Sequence, residues 1–141
     1  MAVRLTHLQK TAVIAHAQDE ARDPARPYEC CGVLVGVGDR VTSVFRVTNV
    51  DYSPFTYTMD GDEVLRIQLE ADRTGLEILG FYHSHLNSDP VPSRTDVRKA
   101  SVAWPGAIHV IVSLKDTRRP ELRAFRIEGD ETFSVEDIIE E

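Results

Sequence analysis

The chain has little of what marks several common protein classes. Only two cysteines occur in 141 residues, and they are neighbours, Cys30 and Cys31. Adjacent cysteines rarely bridge, because the closure strains the intervening peptide, and no further cysteine exists to complete a zinc ribbon. Both are expected to be buried thiols in a reducing compartment. Positive charge is also short: 16 Lys plus Arg stand against 23 Asp plus Glu, for a net charge of −7. The basic residues are scattered, with no stripe to neutralise successive phosphates, so nucleic acid is not an expected partner. Apolar runs such as Val33 to Val37 and Val110 to Val112 fall far below the roughly 20 residues that span a bilayer. No basic segment followed by an apolar one opens the chain. The expectation is a protein with no membrane partner, cytoplasmic, in one domain over residues 1–141, with no internal repeat or linker. Its oligomeric state is not legible.

What is present is a regular alternation of elements. Leu5, Leu8, Ala12 and Ala15 recur at helical spacing before the break at "RDPARP". "CGVLVGVGDRVTSVFRVTNV" reads as a hairpin turning at Gly38 and Asp39, its first strand buried on both faces. "FTYTMD" reads as a short strand, and Asp60 with Glu63 as the capping residues of a helix through about Arg73. "LEILGFYHSH" is a strand, "LNSDPVPS" a loop, and Ser93 the N-cap of a helix, followed by strands at "AIHVIVSL" and "LRAFRI". The acidic end "SVEDIIEE" reads as a short element with a frayed tip. Helices alternating with strands, with hairpins among them, predict a mixed α/β (α+β) fold: one mixed sheet with helices on its faces.

One stretch carries chemistry. In a strand, side chains two residues apart share a face, so His83 and His85 can reach one ion while Ser84 points away. Asp96 follows through a loop, in the first turn of the helix that Ser93 caps, where a carboxylate is electrostatically favoured. Two imidazoles and a carboxylate are the ligand set of a catalytic zinc, which keeps its fourth position for water. Each residue alone has an ordinary structural explanation. The combination His-x-His, seven residues, Ser, two residues, Asp arises by chance in roughly one in a thousand chains of this composition. His7, His16 and His109 have no partner at ligand spacing and are expected to be surface or core residues. No His-Glu-x-x-His occurs, and no Pro-Cys-x-x-Cys that would complete a deaminase site.

This pattern resembles the signature of the JAMM (MPN-plus) metalloproteases, stand-alone prokaryotic type. "PYECCGVLVG" supplies Glu29 ahead of Cys-Gly and an apolar strand, as in that family. The resemblance runs from the first helix to about Val112. It implies a cytidine deaminase-like JAMM/MPN fold, one Zn2+ per chain on His83, His85 and Asp96, and catalytic roles for Glu29 on the attacking water and Ser93 on the oxyanion. Leu86 departs from the proline that many members carry there. From the residues alone, Glu29 stands out because a charge directly before a buried strand is costly unless it has a partner or a task. The implied activity is that of a zinc peptidase or isopeptidase acting after the C-terminal Gly-Gly of a ubiquitin-like or sulfur-carrier protein, without the insertions of eukaryotic relatives. Gly-Gly is slim enough to approach an ion at a strand end, and the tail could add to an exposed strand beside the site. Two alternatives stay open: release of cysteine from a sulfur-carrier adduct, and a noncatalytic MPN scaffold.

Overall fold

The computed structural model describes residues 2–141. Its elements in chain order are β1 (Ala2–Leu5), α1 (His7–Glu20), β2 (Cys31–Val37), β3 (Arg40–Val47), α2 (Gly61–Arg73), β4 (Glu77–His85), α3 (Arg94–Ala103), β5 (Ala107–Ser113), β6 (Glu121–Ile127) and β7 (Phe133–Glu140). The strands run in the order β1-β3-β2-β4-β5-β6-β7 and close on themselves as a barrel. The sheet is mixed as expected: β4 pairs parallel with β5, and β1 parallel with both β7 and β3, while the other pairs are antiparallel. No described helix is long and apolar enough to cross a membrane.

The β2–β3 hairpin turns where expected, with Gly38 at φ +64°, a conformation that favours glycine. Six of the seven β2 residues are buried, which explains an apolar run without alternation. The two faces of this central region bury different clusters. Leu34, Tyr82, Val110 and Val112 pack with Val13 and Ala17 of α1. Val33, Val35 and Phe81 pack with Ala71 of α2 and with Tyr57. The alternation along β4 therefore sends Tyr82 and Ser84 towards α1, and Phe81, His83 and His85 towards the opposite face. Gly32 lies beside Tyr82, and a Cβ at that position would collide with the Tyr82 ring.

Four local readings need correction. First, the stripe of Leu8, Ala12 and Ala15 is not the buried face of α1. Leu8 is 80% exposed and the helix buries Val13, His16 and Ala17 instead. Leu5 belongs to β1, and Thr6 ends the strand by capping α1 in a reciprocal box with Gln9. Second, "FTYTMD" forms no strand. Only an isolated bridge joins Asn49 to Met59, because the Asn49 side chain takes hydrogen bonds in this segment that a ladder would otherwise use. Third, the box at α2 is half formed. Asp60 accepts from the Asp62 and Glu63 amides, but the Glu63 carboxylate turns to Thr48. Fourth, the acidic end is β7, an eight-residue strand between β6 and β1. Its tip is held, since the Glu141 amide donates to the Leu5 carbonyl at 2.9 Å and Arg40 pairs with the Glu141 carboxylate at 3.0 Å.

Candidate metal centre

Register brings the site together. His83 lies opposite Cys31 on one neighbour and Ile111 on the other, at the end of the strand where β2 begins. Ser84 points to the other face, as period two requires, and its hydroxyl accepts from the Cys30 amide at 2.8 Å. The chain then loops to Ser93, which caps α3: its Oγ accepts from the Asp96 amide at 3.0 Å, and its own amide donates to Oδ2 of Asp96 at 2.9 Å. That reciprocal box turns the Asp96 carboxylate back towards β4.

The same Oδ2 lies 3.0 Å from Nε2 of His83 and 3.1 Å from Nε2 of His85, and the two ring nitrogens are 3.2 Å apart. A tetrahedral ion with ligand bonds of about 2.0–2.1 Å requires ligand atoms about 3.3–3.4 Å apart, so this near-equilateral triangle fits one face of such a site. All three residues are buried, and they are the only group of three or more metal-ligating side chains among the described residues. They could therefore hold a metal ion. Nδ1 of His85 lies 2.8 Å from the Asp89 carbonyl, a contact that presents Nε2 as the ligand atom. The His83 ring stacks on Tyr57 with centroids 4.3 Å apart, which fixes its plane.

The electrostatics of these residues have physical causes that oppose one another. Burial lowers the His83 pKa and keeps that ring neutral, despite the carboxylate beside it. Burial works against charge on His85 too, but its contacts with Asp96 and the Asp89 carbonyl outweigh it and raise the pKa. Burial also disfavours ionised Asp96, yet the two imidazoles and the Ser93 amide hold its carboxyl far below the usual range. The site thus gathers a negative oxygen and two imidazoles in a dry place, a donor set for a divalent cation, which would take the place of the proton that His85 favours.

Glu29 precedes β2 and is 5% exposed. Its Oε1 has no hydrogen-bond partner among the described residues, and burial raises its pKa from 4.5 to about 8. Its charge acts on His85 and Asp96, yet it stands outside the group whose atoms converge. A buried carboxyl without a protein partner, in electrostatic reach of His85 and Asp96, suits a proton carrier. Ser93 is exposed at the rim. Its oxygen caps α3 while its hydroxyl hydrogen is left to donate, so the capping and oxyanion roles are compatible.

The remaining reactive residues are structural. Cys30 and Cys31 are free and buried, and burial pushes the Cys30 thiol up to about 12 and Cys31 higher still. His7 is exposed and pairs with Glu140. Burial lowers His16 to about 4, and its Nδ1 lies 2.6 Å from the Tyr82 hydroxyl, on the far face. Burial lowers His109 to about 3, and its ring stacks on Phe81. Sequence reasoning missed Tyr57 and Lys99. Tyr57 sits in the segment read as a strand, and the Lys99 ammonium donates to the Tyr57 carbonyl at 2.9 Å. Neither has a motif that could have revealed it. From Tyr57 an apolar groove of about 700 Å³ runs between α2 and α3 over Met59, Val64, Phe81 and Trp104.

A barrel that brings two histidines of one strand to an aspartate of the following helix has a group that could hold a metal ion, and the sequence places it in a family. Residues 9–128 match the family of prokaryotic homologues of the JAB domain, and the chain belongs to it. It is therefore a member of the stand-alone prokaryotic JAMM/MPN type. It is 42% identical over 108 residues to a desampylase of Haloferax volcanii, covering 74% of this chain and 75% of that protein. It is 37% identical over 133 residues to a CysO-cysteine peptidase of Mycobacterium tuberculosis, covering 92% and 86%. A solution structure of a protein from Desulfitobacterium hafniense superposes with a TM-score of 0.83 at 32% identity, covering 99% of this chain and 92% of that one.

Proposed function

We propose that the protein is a zinc-dependent peptidase or isopeptidase that hydrolyses the bond after the C-terminal Gly-Gly of a ubiquitin-like or sulfur-carrier protein. The observation that carries this reading is the convergence of His83, His85 and Asp96, in electrostatic reach of the buried Glu29 carboxyl whose Oε1 has no partner among the described residues. His83, His85 and Asp96 would hold one Zn2+. Bound there, the ion supplies a Lewis acid that polarises a carbonyl and makes water acidic near pH 7. Glu29 takes the proton from the attacking water and returns it to the leaving amine, a role that its raised pKa suits. The Ser93 hydroxyl donates to the oxygen on which charge develops. The intact ligand set and Glu29 speak against a noncatalytic scaffold.

The relatives named as a desampylase and a CysO-cysteine peptidase support this class of substrate. The second also supports a free amino acid as the leaving group. β4 is paired by β2 and β5 near the histidines, so an extended tail cannot add to the strand that carries the ligands. The groove at Tyr57 offers the alternative surface. A glycine pair suits a carbonyl that must reach buried ligands, since it carries no side chain to clash.

A carrier fusion ending in Gly-Gly before the cleaved bond should be cut after the second glycine. The same fusion with Gly-Gly→Ala-Ala should be cut about 100-fold more slowly or not at all, as read by mass spectrometry. Equal cleavage of the two, or cutting elsewhere, would overturn the substrate. Parallel fusions with lysine-linked and cysteine adducts decide the leaving group.

Ser93→Ala tests the double role. Loss of the cap should lower stability by about 1 kcal/mol in denaturant unfolding. Loss of the oxyanion donor should lower kcat by about ten- to a thousandfold. A stability loss with unchanged kcat would leave Ser93 a cap alone.

A further inference from the structure

Asn49 is a buried side chain whose carboxamide has every hydrogen bond it can make in that place. Its Nδ2 donates to the Glu29 carbonyl and to the Thr56 carbonyl, both at 3.0 Å. Its Oδ1 accepts from the amides of Asp51 at 3.0 Å and Thr58 at 3.1 Å. Two carbonyls on one side and two amides on the other fix the orientation of the carboxamide, and only this group offers two donors and two acceptor positions at that reach. Aspartate would keep the two accepting contacts and lose both donors.

Asn49 joins Glu29 to the segment that carries Tyr57, whose ring stacks on His83. Glu29 is held through both main-chain groups by the 49–58 loop: its carbonyl accepts from Asn49, and its amide donates to the Ser53 carbonyl at 2.9 Å. The Glu29 carboxyl itself has Oε1 without a partner among the described residues. Its aim therefore depends on how its backbone is anchored. The same loop carries Tyr57 against the His83 ring, and Lys99 of α3 fastens it from the far side through the Tyr57 carbonyl and the Thr58 hydroxyl. Ordinary loop closure does not require a buried amide to bridge two strand-end segments 20 residues apart in sequence.

We infer that Asn49 is a positioning residue that sets the Glu29 carboxyl against the His83–His85–Asp96 cluster. The inference rests on the function proposed above. Asn49 touches no reacting atom and acts through Glu29, so its removal should slow the proton-transfer step and leave metal binding and substrate binding in place.

The test is a double-mutant cycle on the zinc-loaded, full-length protein with the Gly-Gly carrier fusion as substrate. Asn49→Ala should lower kcat by about 10- to 100-fold, the usual effect of losing a partner that orients an active group, with KM within about twofold and zinc content unchanged. Asn49→Asp, which retains the accepting half of the network and hence the loop turn, should lose kcat similarly. It carries the same cycle if the alanine variant does not fold. In a Glu29→Gln background either substitution should change the residual rate by less than about twofold, because residues acting as a unit are not additive. Multiplicative effects, loss of zinc from the Asn49 variants, or a wild-type kcat in them would each overturn the inference. A wild-type enzyme that leaves the fusion uncut would reject the proposed function, whereas a Glu29→Gln enzyme with near-normal turnover would remove Glu29, and Asn49 with it, from the mechanism. A Glu29→Gln enzyme that is inactive in the expected way, combined with multiplicative effects, would reject the role of Asn49 alone.

Discussion

Glu29→Gln should retain one zinc per chain and lose about 10²- to 10⁴-fold in kcat, measured on a Gly-Gly carrier fusion. The amide keeps the size of the side chain and can still hydrogen-bond, but it cannot accept and return a proton. The same substitution should stabilise the ion-free protein. Burial raises the Glu29 pKa from 4.5 to about 8. Between those two values the folded, ion-free chain keeps a proton that the unfolded chain has released. Each unit of rising pH in that window therefore weakens folding by up to about 1.4 kcal/mol. The cost is absent below pH 4.5 and complete above pH 8. At pH 7 glutamine should recover on the order of 3 kcal/mol, and the pH dependence across the window should flatten, as read by denaturant unfolding in chelator. A residue kept for activity at the expense of stability behaves in this way. Near-normal turnover would remove Glu29 from the mechanism, and an unchanged pH slope would contradict the burial argument.

His83→Ala should abolish zinc binding under conditions where the wild type holds one ion, and turnover with it. The ring contributes Nε2 to a triangle of three ligand atoms, and two remaining ligands cannot enforce a tetrahedral site. The loss of affinity should exceed the 10- to 100-fold typical of losing an outer hydrogen-bond partner. Metal analysis of the two proteins gives the result directly, and equal zinc in both would sink the assignment. Chelation of the wild type should also abolish turnover while leaving the far-ultraviolet circular dichroism largely intact. The core on the α1 face, built on Leu34, Tyr82, Val110 and Val112, is complete without the ion, and a chain of this size buries enough apolar surface to fold unaided. The variant itself should be less stable than the chelated wild type, since deleting a buried ring that stacks on Tyr57 leaves a cavity.

The candidate ligand set was legible because its physics is local. Residues two apart on a strand share a face whatever the strand packs against, and an aspartate in the first turn of a Ser93-capped helix faces the chain that enters the helix. The spacing of His83, His85, Ser93 and Asp96 thus encodes most of the triangle that the structure contains. The hairpin at Gly38 and the caps at Asp60 and Ser93 were legible for the same reason, since each is decided within four residues. Glu29 is different. Its place near the His83–His85–Asp96 cluster comes from the pairing of β2 with β4, about 50 residues away, and without the family resemblance its position before a buried strand makes it only one candidate among the glutamates.

Contacts between distant segments decided the rest. β1 and β7 close the barrel by pairing the two ends of the chain, and neither end carries a pattern that names the other. The buried face of α1 is chosen by where Tyr82 projects from β4, so His16 goes inside while Leu8 stays in water. The 49–58 loop runs into "FTYTMD", residues 55–60, which reads locally as a strand. It folds instead around one carboxamide because Glu29, Thr56, Asp51 and Thr58 converge there, and the bonds of Asn49 to all four outweigh a ladder with no neighbour to complete it. Propensity and spacing act over a few residues, and they determined most of the elements and the His83–His85–Asp96 cluster that could hold a metal. Which elements meet, and which side chains are thereby left dry beside the ligands, depends on burial summed over the whole barrel.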